Sequence, residues 1–258
     1  MANSWRNAYG SLETNQEVRA THGLPARSTS GHILGIIVVK LDYPKLPGNV
    51  ANACTFPYPV LYKEVNFEIE QLFAGDPAIK DMVLDAARYL EAQGVRAIIG
   101  ACGYFAHFQK DVANAVSVPV FMSSLCQLPL IKAGVRDDKK IAVFAADGTS
   151  LNDELLAQVG SDSSRLIVQN VGDMESFVPI RWGQLELDNG KLTDDLCALA
   201  LSLCEKHPEI DAILLECSDL PPYAAAIQKA TGLPVFDFIT LANWVESAVI
   251  QRTYTGWF

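Results

Sequence analysis

Apolar residues in this chain fall into short unbroken runs, with stretches of helical period between them. Ile33 to Val39 is continuous, as a strand buried on both faces of a parallel sheet must be. Similar runs predict strands over 96–101, 118–122, 141–145, 165–169, 212–216 and 235–237. Elsewhere the pattern turns amphipathic. Pro77 to Gln93 reads as a helix, with Asp76 at the N-cap, Pro77 in the first turn and Gly94 as the stop. Further helices are predicted over 104–115, from Ser123-Ser124 to about 133, after an Asp147-Gly148-Thr149-Ser150 cap, and over 193–206, 221–230 and 241–251. Strand and helix alternate throughout, which predicts an α/β architecture with helices on both faces of a parallel sheet.

One stretch of this pattern occurs twice. Ala97-Ile98-Ile99-Gly100-Ala101-Cys102-Gly103 leads on to Val118-Pro119-Val120-Phe121, and Ala212-Ile213-Leu214-Leu215-Glu216-Cys217-Ser218 leads on to Leu233-Pro234-Val235-Phe236. The offset is constant, so Cys102 maps to Cys217 and Pro119 to Pro234. The repeat predicts two pseudo-symmetric Rossmann-like domains, each a parallel sheet flanked by helices, with a cleft between them. The charged break Arg136-Asp137-Asp138-Lys139-Lys140 divides them. The expected organisation is a polar N-terminal arm (1–30), a first α/β domain (31–135) and a second (136–238). A C-terminal helix (239–258) is expected to pack back on the first domain. Residues 171–192 are irregular and read as an insertion. The loop Asp42-Tyr43-Pro44-Lys45-Leu46-Pro47-Gly48-Asn49 leaves the first strand's carboxyl end, where ligand contacts collect in such sheets.

Composition narrows the class. The net charge of −10 argues against nucleic acid and anionic membrane as partners. No apolar run approaches a membrane span, and no basic-then-apolar signal opens the chain, so a cytoplasmic protein is expected. Six cysteines without a CxxC pair are not a disulfide framework, and the histidines at 22, 32, 107 and 207 lack metal spacing. No metal and no cofactor is expected; the partners expected are a small-molecule carboxylate and further copies of the chain.

Cys102 and Cys217 carry the chemistry. Each is expected at a strand end, at the start of a helix whose free N–H groups and dipole favour anions. Such a setting lowers a thiol's pKa from about 8.5 and also seats a carboxylate. A thiolate on one face of a carbon and a thiol on the other can remove a proton and return one with inversion. The amides stabilise the charge that develops on the adjacent carboxylate. Glu216 and Asp219 flank Cys217, whereas Cys102 has no acidic neighbour in sequence, so Cys102 is expected as thiolate and Cys217 as thiol. Cys126, Cys197 and Cys204 read as core and Cys54 as structural. His107 reads as surface or packing, and Arg181 as a solvated loop arginine rather than a carboxylate clamp.

With both turns in place, the chain resembles the aspartate/glutamate racemase superfamily. The resemblance rests on Gly100-Ala101-Cys102-Gly103-Tyr104-Phe105, on Glu216-Cys217-Ser218-Asp219-Leu220-Pro221-Pro222-Tyr223 and on the repeat spacing, and covers residues 31–258. It implies two α/β domains in pseudo-mirror arrangement, cofactor independence and two catalytic cysteines. Gly103 and Ser218 match positions that bind substrate carboxylate, and Thr149 matches the family threonine after the second unit's first strand. Asp42 echoes the acid of the family's Asp-Ser pair. Many glutamate racemases carry Asn before the first cysteine and Thr after each, where this chain has Ala101, Gly103 and Ser218. Tyr104, Ser123 and Asp219 complete the expected substrate-binding set. The function expected is racemisation or epimerisation of an amino acid, aspartate or glutamate first. Hydantoin racemase, maleate isomerase and arylmalonate decarboxylase are the alternatives on this fold, and a two-domain binding protein is the non-enzymatic one.

Overall fold

A computed structural model describes residues 27–252 and 254–258. The N-terminal arm expected over 1–30 therefore lies almost wholly outside the described residues.

The first sheet holds β1 (Leu34–Val39), β2 (Val60–Val65), β3 (Ala97–Gly100) and β4 (Val120–Phe121), in the order β2-β1-β3-β4. The second holds β5 (Lys140–Ala145), β6 (Leu166–Asn170), β7 (Ile210–Leu215) and β8 (Val235–Phe236), in the order β6-β5-β7-β8. Every pairing is parallel. The duplication thus extends to all four strands of each unit, beyond the two cysteine-bearing stretches visible in the sequence. β2 is the strand that apolar runs do not predict. Its sequence Val-Leu-Tyr-Lys-Glu-Val is partly polar because it forms the sheet's edge, with only Val65 fully buried.

Between the strands lie α1 (Ile69–Phe73), α2 (Lys80–Gln93), α3 (Gln109–Ala115) and α4 (Leu128–Gly134) in the first unit. The second has α5 (Asp153–Gln158), α6 (Val178–Arg181), α7 (Asn189–Lys206) and α8 (Ala224–Thr231), and α9 (Phe238–Val249) closes the fold. Asp76 caps a 3-10 turn over 77–79 that feeds α2, and Gly94 ends α2 in the left-handed region at φ 85°. The turns after Cys102 and Ser123 are likewise 3-10 before they become α-helix. The expected cap at 147–150 is a turn instead; α5 begins later, with Asn152 accepting from Leu155 N–H. There Asp147 spends its carboxylate on Thr149 and Ser150.

α9 follows the second unit's last strand but buries Phe238, Leu241, Ala242, Val245 and Val249 against Leu34, Ile36, Ala97 and Ile99 of the first sheet. Burying such side chains stabilises by roughly 1.5–3 kcal/mol each, which ties the halves together. The helix stops at Val249, and Tyr254, Trp257 and Phe258 beyond it are fully exposed, so the aromatic end does not dock on this fold. Among the described residues no helix is long and apolar enough to cross a membrane.

Candidate active site

In both sheets the strand order reverses between the first and third strands, so a crevice opens at their carboxyl ends. Cys102 follows β3 and Cys217 follows β7, and both line one cavity between the two units. Its walls are apolar and aromatic: Val38, Leu41, Ile69, Phe73, Phe177 and Ile180 stand beside Tyr43, Lys45 and Arg181. Ala101, Ser218 and Asp219 complete the cysteine edges.

The two turns are locked to one another. Ser218 Oγ donates to Ala101 O at 2.9 Å, so the residue after one cysteine holds the residue before the other. Val50 N–H, from the proline-rich loop, donates to Ser218 O at 3.3 Å. Tyr104 is fully buried, with its hydroxyl bonded to Asp147 O across the halves, and Asp147 N–H donates back to it at 3.2 Å. Ser124 Oγ donates to Leu215 O and Glu216 O, each at 3.1 Å. These paired polar contacts tie the two cysteine turns to one another.

Both thiols are held neutral by the protein alone. Burial is the main cause at each, since a thiolate loses its hydration there. Glu216 adds to it at Cys102, and Asp219 then Glu216 at Cys217. The backbone N–H two residues on, of Tyr104 and of Asp219, works the other way in each case. The premise that Cys102 has no acidic neighbour therefore fails in three dimensions. Glu216, remote in sequence, packs against its turn.

Asp219 is the hub of the second half. It accepts from Cys217 Sγ at 3.4 Å through Oδ2, and from Tyr43 Oη and Asn49 Nδ2 through Oδ1. Burial raises its carboxyl pKa, and those three donors partly offset the rise. Burial, then Asp219, pushes the Tyr43 phenol well above its ordinary value, so Tyr43 stays a donor. Lys45 Nζ stands 3.9 Å from the centroid of the Tyr43 ring and donates to Leu41 O at 2.6 Å. Burial lowers its ammonium pKa, opposed by the charges of Asp219, Asp42 and Glu64.

The other expected residues fall unevenly. Gly103 lies behind Cys102 against Glu216 rather than on the cavity wall. Ser123 is fully buried and caps its turn through Leu125 N–H. Thr149 is exposed and bonded to Asp147, and Asp42 is exposed, so neither reaches the cavity; Tyr43, one residue on, takes the place expected for Asp42. Arg181 is not a solvated loop residue: its side chain is 17% exposed and lines the cavity. Its Nη1 reaches Ala146 O and Asp173, and Asp147 lies 3.9 Å from Nη2. The stretch read as an insertion thus builds a wall, through Phe177, Ile180 and Arg181. Cys54 is exposed, while Cys126 bonds Gln109 Oε1 away from the cavity. Among the described residues no group of three or more His, Cys, Asp or Glu is placed to hold a metal.

Tyr43, Lys45 and Asn49 are site residues that the sequence does not single out. The signal was present in the proline-rich loop after β1, but nothing in its composition says which side chains turn inward.

The family model for Asp/Glu/hydantoin racemase matches residues 63–245. Dimethylsulfoniopropionate lyase of Durusdinium sp. clade D is 38% identical over 232 residues, covering 86% of this chain and 77% of that protein. Dimethylsulfoniopropionate lyase 3 of Emiliania huxleyi is 38% identical over 235 residues, and there the chain spans 61% of the relative's length. Unliganded arylmalonate decarboxylase matches with a TM-score of 0.57 at 20% identity, over 86% of this chain and 94% of the other. A glutamate racemase from Bacillus anthracis matches with a TM-score of 0.56 at 16% identity, over 85% and 82%. At those identities the solved structures speak for the fold alone. Two parallel four-stranded units with a cysteine at the mouth of each, matched by the family model over most of their length, make this chain a member of the Asp/Glu/hydantoin racemase family.

Proposed function

We propose that this chain is a lyase acting on dimethylsulfoniopropionate or a close sulfonium or quaternary analogue. The observation that carries the reading is Asp219, a buried acid 3.4 Å from the Cys217 thiol, in a cavity whose other walls are mostly apolar and aromatic. A substrate with a bulky, weakly hydrated cation at one end and one carboxylate at the other complements such a site. The cation meets rings and negative charge. The 38% identity to lyases of that name supports the same reading. A dicarboxylic amino acid fits less well, because it brings a second carboxylate to a cavity that already holds the Asp219 carboxyl. Arg181 is already engaged by Asp147, Asp173 and Ala146 O.

In this mechanism the substrate carboxylate lies toward the backbone amides of the cysteine turns and Lys45. The sulfonium methyls lie toward Phe73, Phe177 and Ile180. Its positive charge favours ionisation of a thiol that the protein otherwise keeps neutral. Cys217 is assigned as the base because its proton has a destination, Asp219 Oδ2 at 3.4 Å. The thiolate removes the proton α to the carboxylate. The C–H electrons become the carbon–carbon double bond, the bond from the β carbon to sulfur breaks, and its electrons leave on neutral dimethyl sulfide. Acrylate remains, with the substrate proton on Cys217. Cys102, across the cavity, stays a thiol and steadies the carboxylate as charge develops on it. This assignment reverses the one that local sequence suggested, because Asp219 gives the Cys217 proton an acceptor.

A second reading, racemisation by both cysteines, is favoured by their equivalent positions in the two units. One experiment separates the two. The purified chain is incubated with dimethylsulfoniopropionate and, separately, with L- and D-aspartate and glutamate in deuterated water. Headspace dimethyl sulfide with equimolar acrylate supports the lyase. Deuterium at an amino-acid stereocentre with loss of optical rotation, and no dimethyl sulfide, overturns it.

A further inference from the structure

Glu216 is fully buried beneath both cysteine turns and does not line the cavity. Its Oε2 accepts from Ala146 N–H at 3.1 Å, while its Oε1 is buried with no hydrogen-bond partner. An ionised carboxylate left with a naked oxygen in such a place would be costly, whereas a neutral acid costs far less. Room for the side chain comes from the opposite half. A Cβ on Gly103 would stand 1.8 Å from Oε1 and 2.4 Å from the carboxyl carbon, so only glycine lets Glu216 lie against the Cys102 turn. The titratable groups facing it are Cys102 and Tyr104 from the first half, Asp147 from the turn after β5, and Cys217 and Asp219 from its own turn. Arg181, the nearby cation, is held on Ala146 O, Asp147 and Asp173.

We propose that Glu216 and Gly103 form a matched pair in which Glu216, as a neutral acid, is a positioning residue. It braces the Cys102 turn from below, and its ionisation suppresses Cys102 thiolate. Burial, supplemented by Asp219 and Asp147 and opposed by the Ala146 N–H, places the Glu216 carboxyl at about 8. Below that pH the group under Cys102 carries no charge. Above it, a negative charge stands beside the thiol and holds it protonated. The inference rests on Cys102 belonging to the reacting site and not on which substrate is turned over.

The test needs no substrate. The rate of Cys102 modification by methyl methanethiosulfonate, resolved by peptide mass spectrometry, is followed from pH 6 to 10 in the parent chain and in Glu216→Gln. The parent is expected to show a suppressed rise above about pH 8. Glu216→Gln keeps the hydrogen bond to Ala146 without the charge, and at pH 9 its Cys102 should react roughly ten times faster than the parent's, the ratio of one pKa unit. Superimposable profiles would overturn the proposal, because a merely structural side chain would not tie Cys102 reactivity to pH. If Glu216→Gln fails to fold, the parent profile decides alone: an inflection near pH 8 supports the pair, and a single simple thiol titration refutes it. Neither outcome depends on dimethyl sulfide release, so the inference and the lyase reading fail separately.

Discussion

Cys217 Sγ lies 3.4 Å from Asp219 Oδ2, and the two residues share one turn, so the thiol's proton has a carboxylate waiting for it two residues away. On the proposed elimination, this contact lets Cys217 ionise without releasing a proton to solvent. Asp219→Asn keeps the shape and removes the acceptor. The variant is expected to lose activity by about 10²–10³, within the range typical of a proton-transfer partner. Near-parental turnover would show that the Cys217 proton goes elsewhere.

The two cysteines are expected to differ. Cys217→Ser should abolish elimination, with a loss beyond about 10³-fold, because a serine hydroxyl is far weaker as a base. Cys102→Ser should retain measurable turnover, reduced about ten- to a hundredfold, since a hydroxyl still donates a hydrogen bond. Steady-state assays of both variants against one substrate check this. Equal and complete loss in both would return the two-base scheme to first place.

Tyr43 and Asn49 both donate to Asp219 Oδ1, and they reach it from the proline-rich loop after β1. Tyr43→Phe leaves the ring in the wall and removes one donor to the carboxylate. A hydrogen bond to a charged group contributes about 1.5–3 kcal/mol. The Asp219 pKa should therefore rise further and kcat fall by roughly ten- to a hundredfold, with the acid limb of the pH profile moving upward. A pH–rate profile of the variant is the measurement, and an unmoved limb would disconnect Tyr43 from Asp219.

Gly103→Ala should be more damaging than its size suggests, because the new methyl would stand 1.8 Å from Glu216 Oε1. Overpacking of this kind costs about 1–3 kcal/mol. Glu216→Ala alone should also destabilise, by cavity formation and by stranding the Ala146 N–H. In the double variant the clash is gone, so the two losses should not add. Denaturant melts of the four species form the cycle. Additive losses would mean the two residues do not touch in solution.

Stability should fall with rising pH because of Glu216. Its folded carboxyl titrates at about 8 and its unfolded one near 4.5, so the folded state holds the proton more tightly. That contribution is complete below about pH 4.5 and is lost progressively as pH rises through 8. Glu216→Gln should therefore show a flatter Tm between pH 5 and 8 than the parent. Parallel Tm curves would show that Glu216 is not the group being titrated.

What the sequence alone determined were the features with a local physical cause. Unbroken apolar runs mark strands buried on both faces, and so β1, β3, β5 and β7 were legible. The constant offset between Cys102 and Cys217 follows from chain length between like elements, and it located both sulfurs at strand ends. β2 was not legible, because an edge strand does not need a continuous apolar run. The turn at 147–150 mimicked a helix cap because Asp, Thr and Ser satisfy N–H groups in either setting. Tertiary structure alone decided which loop residues turn inward: Tyr43 and not Asp42, Arg181 and not Thr149. It also decided the electrostatics. Cys102 has no acid near it along the chain, yet Glu216 lies against its turn, since the sheets bring together carboxyl ends that are more than a hundred residues apart. A pKa depends on distance through space and on burial, and neither is written in the local order of residues.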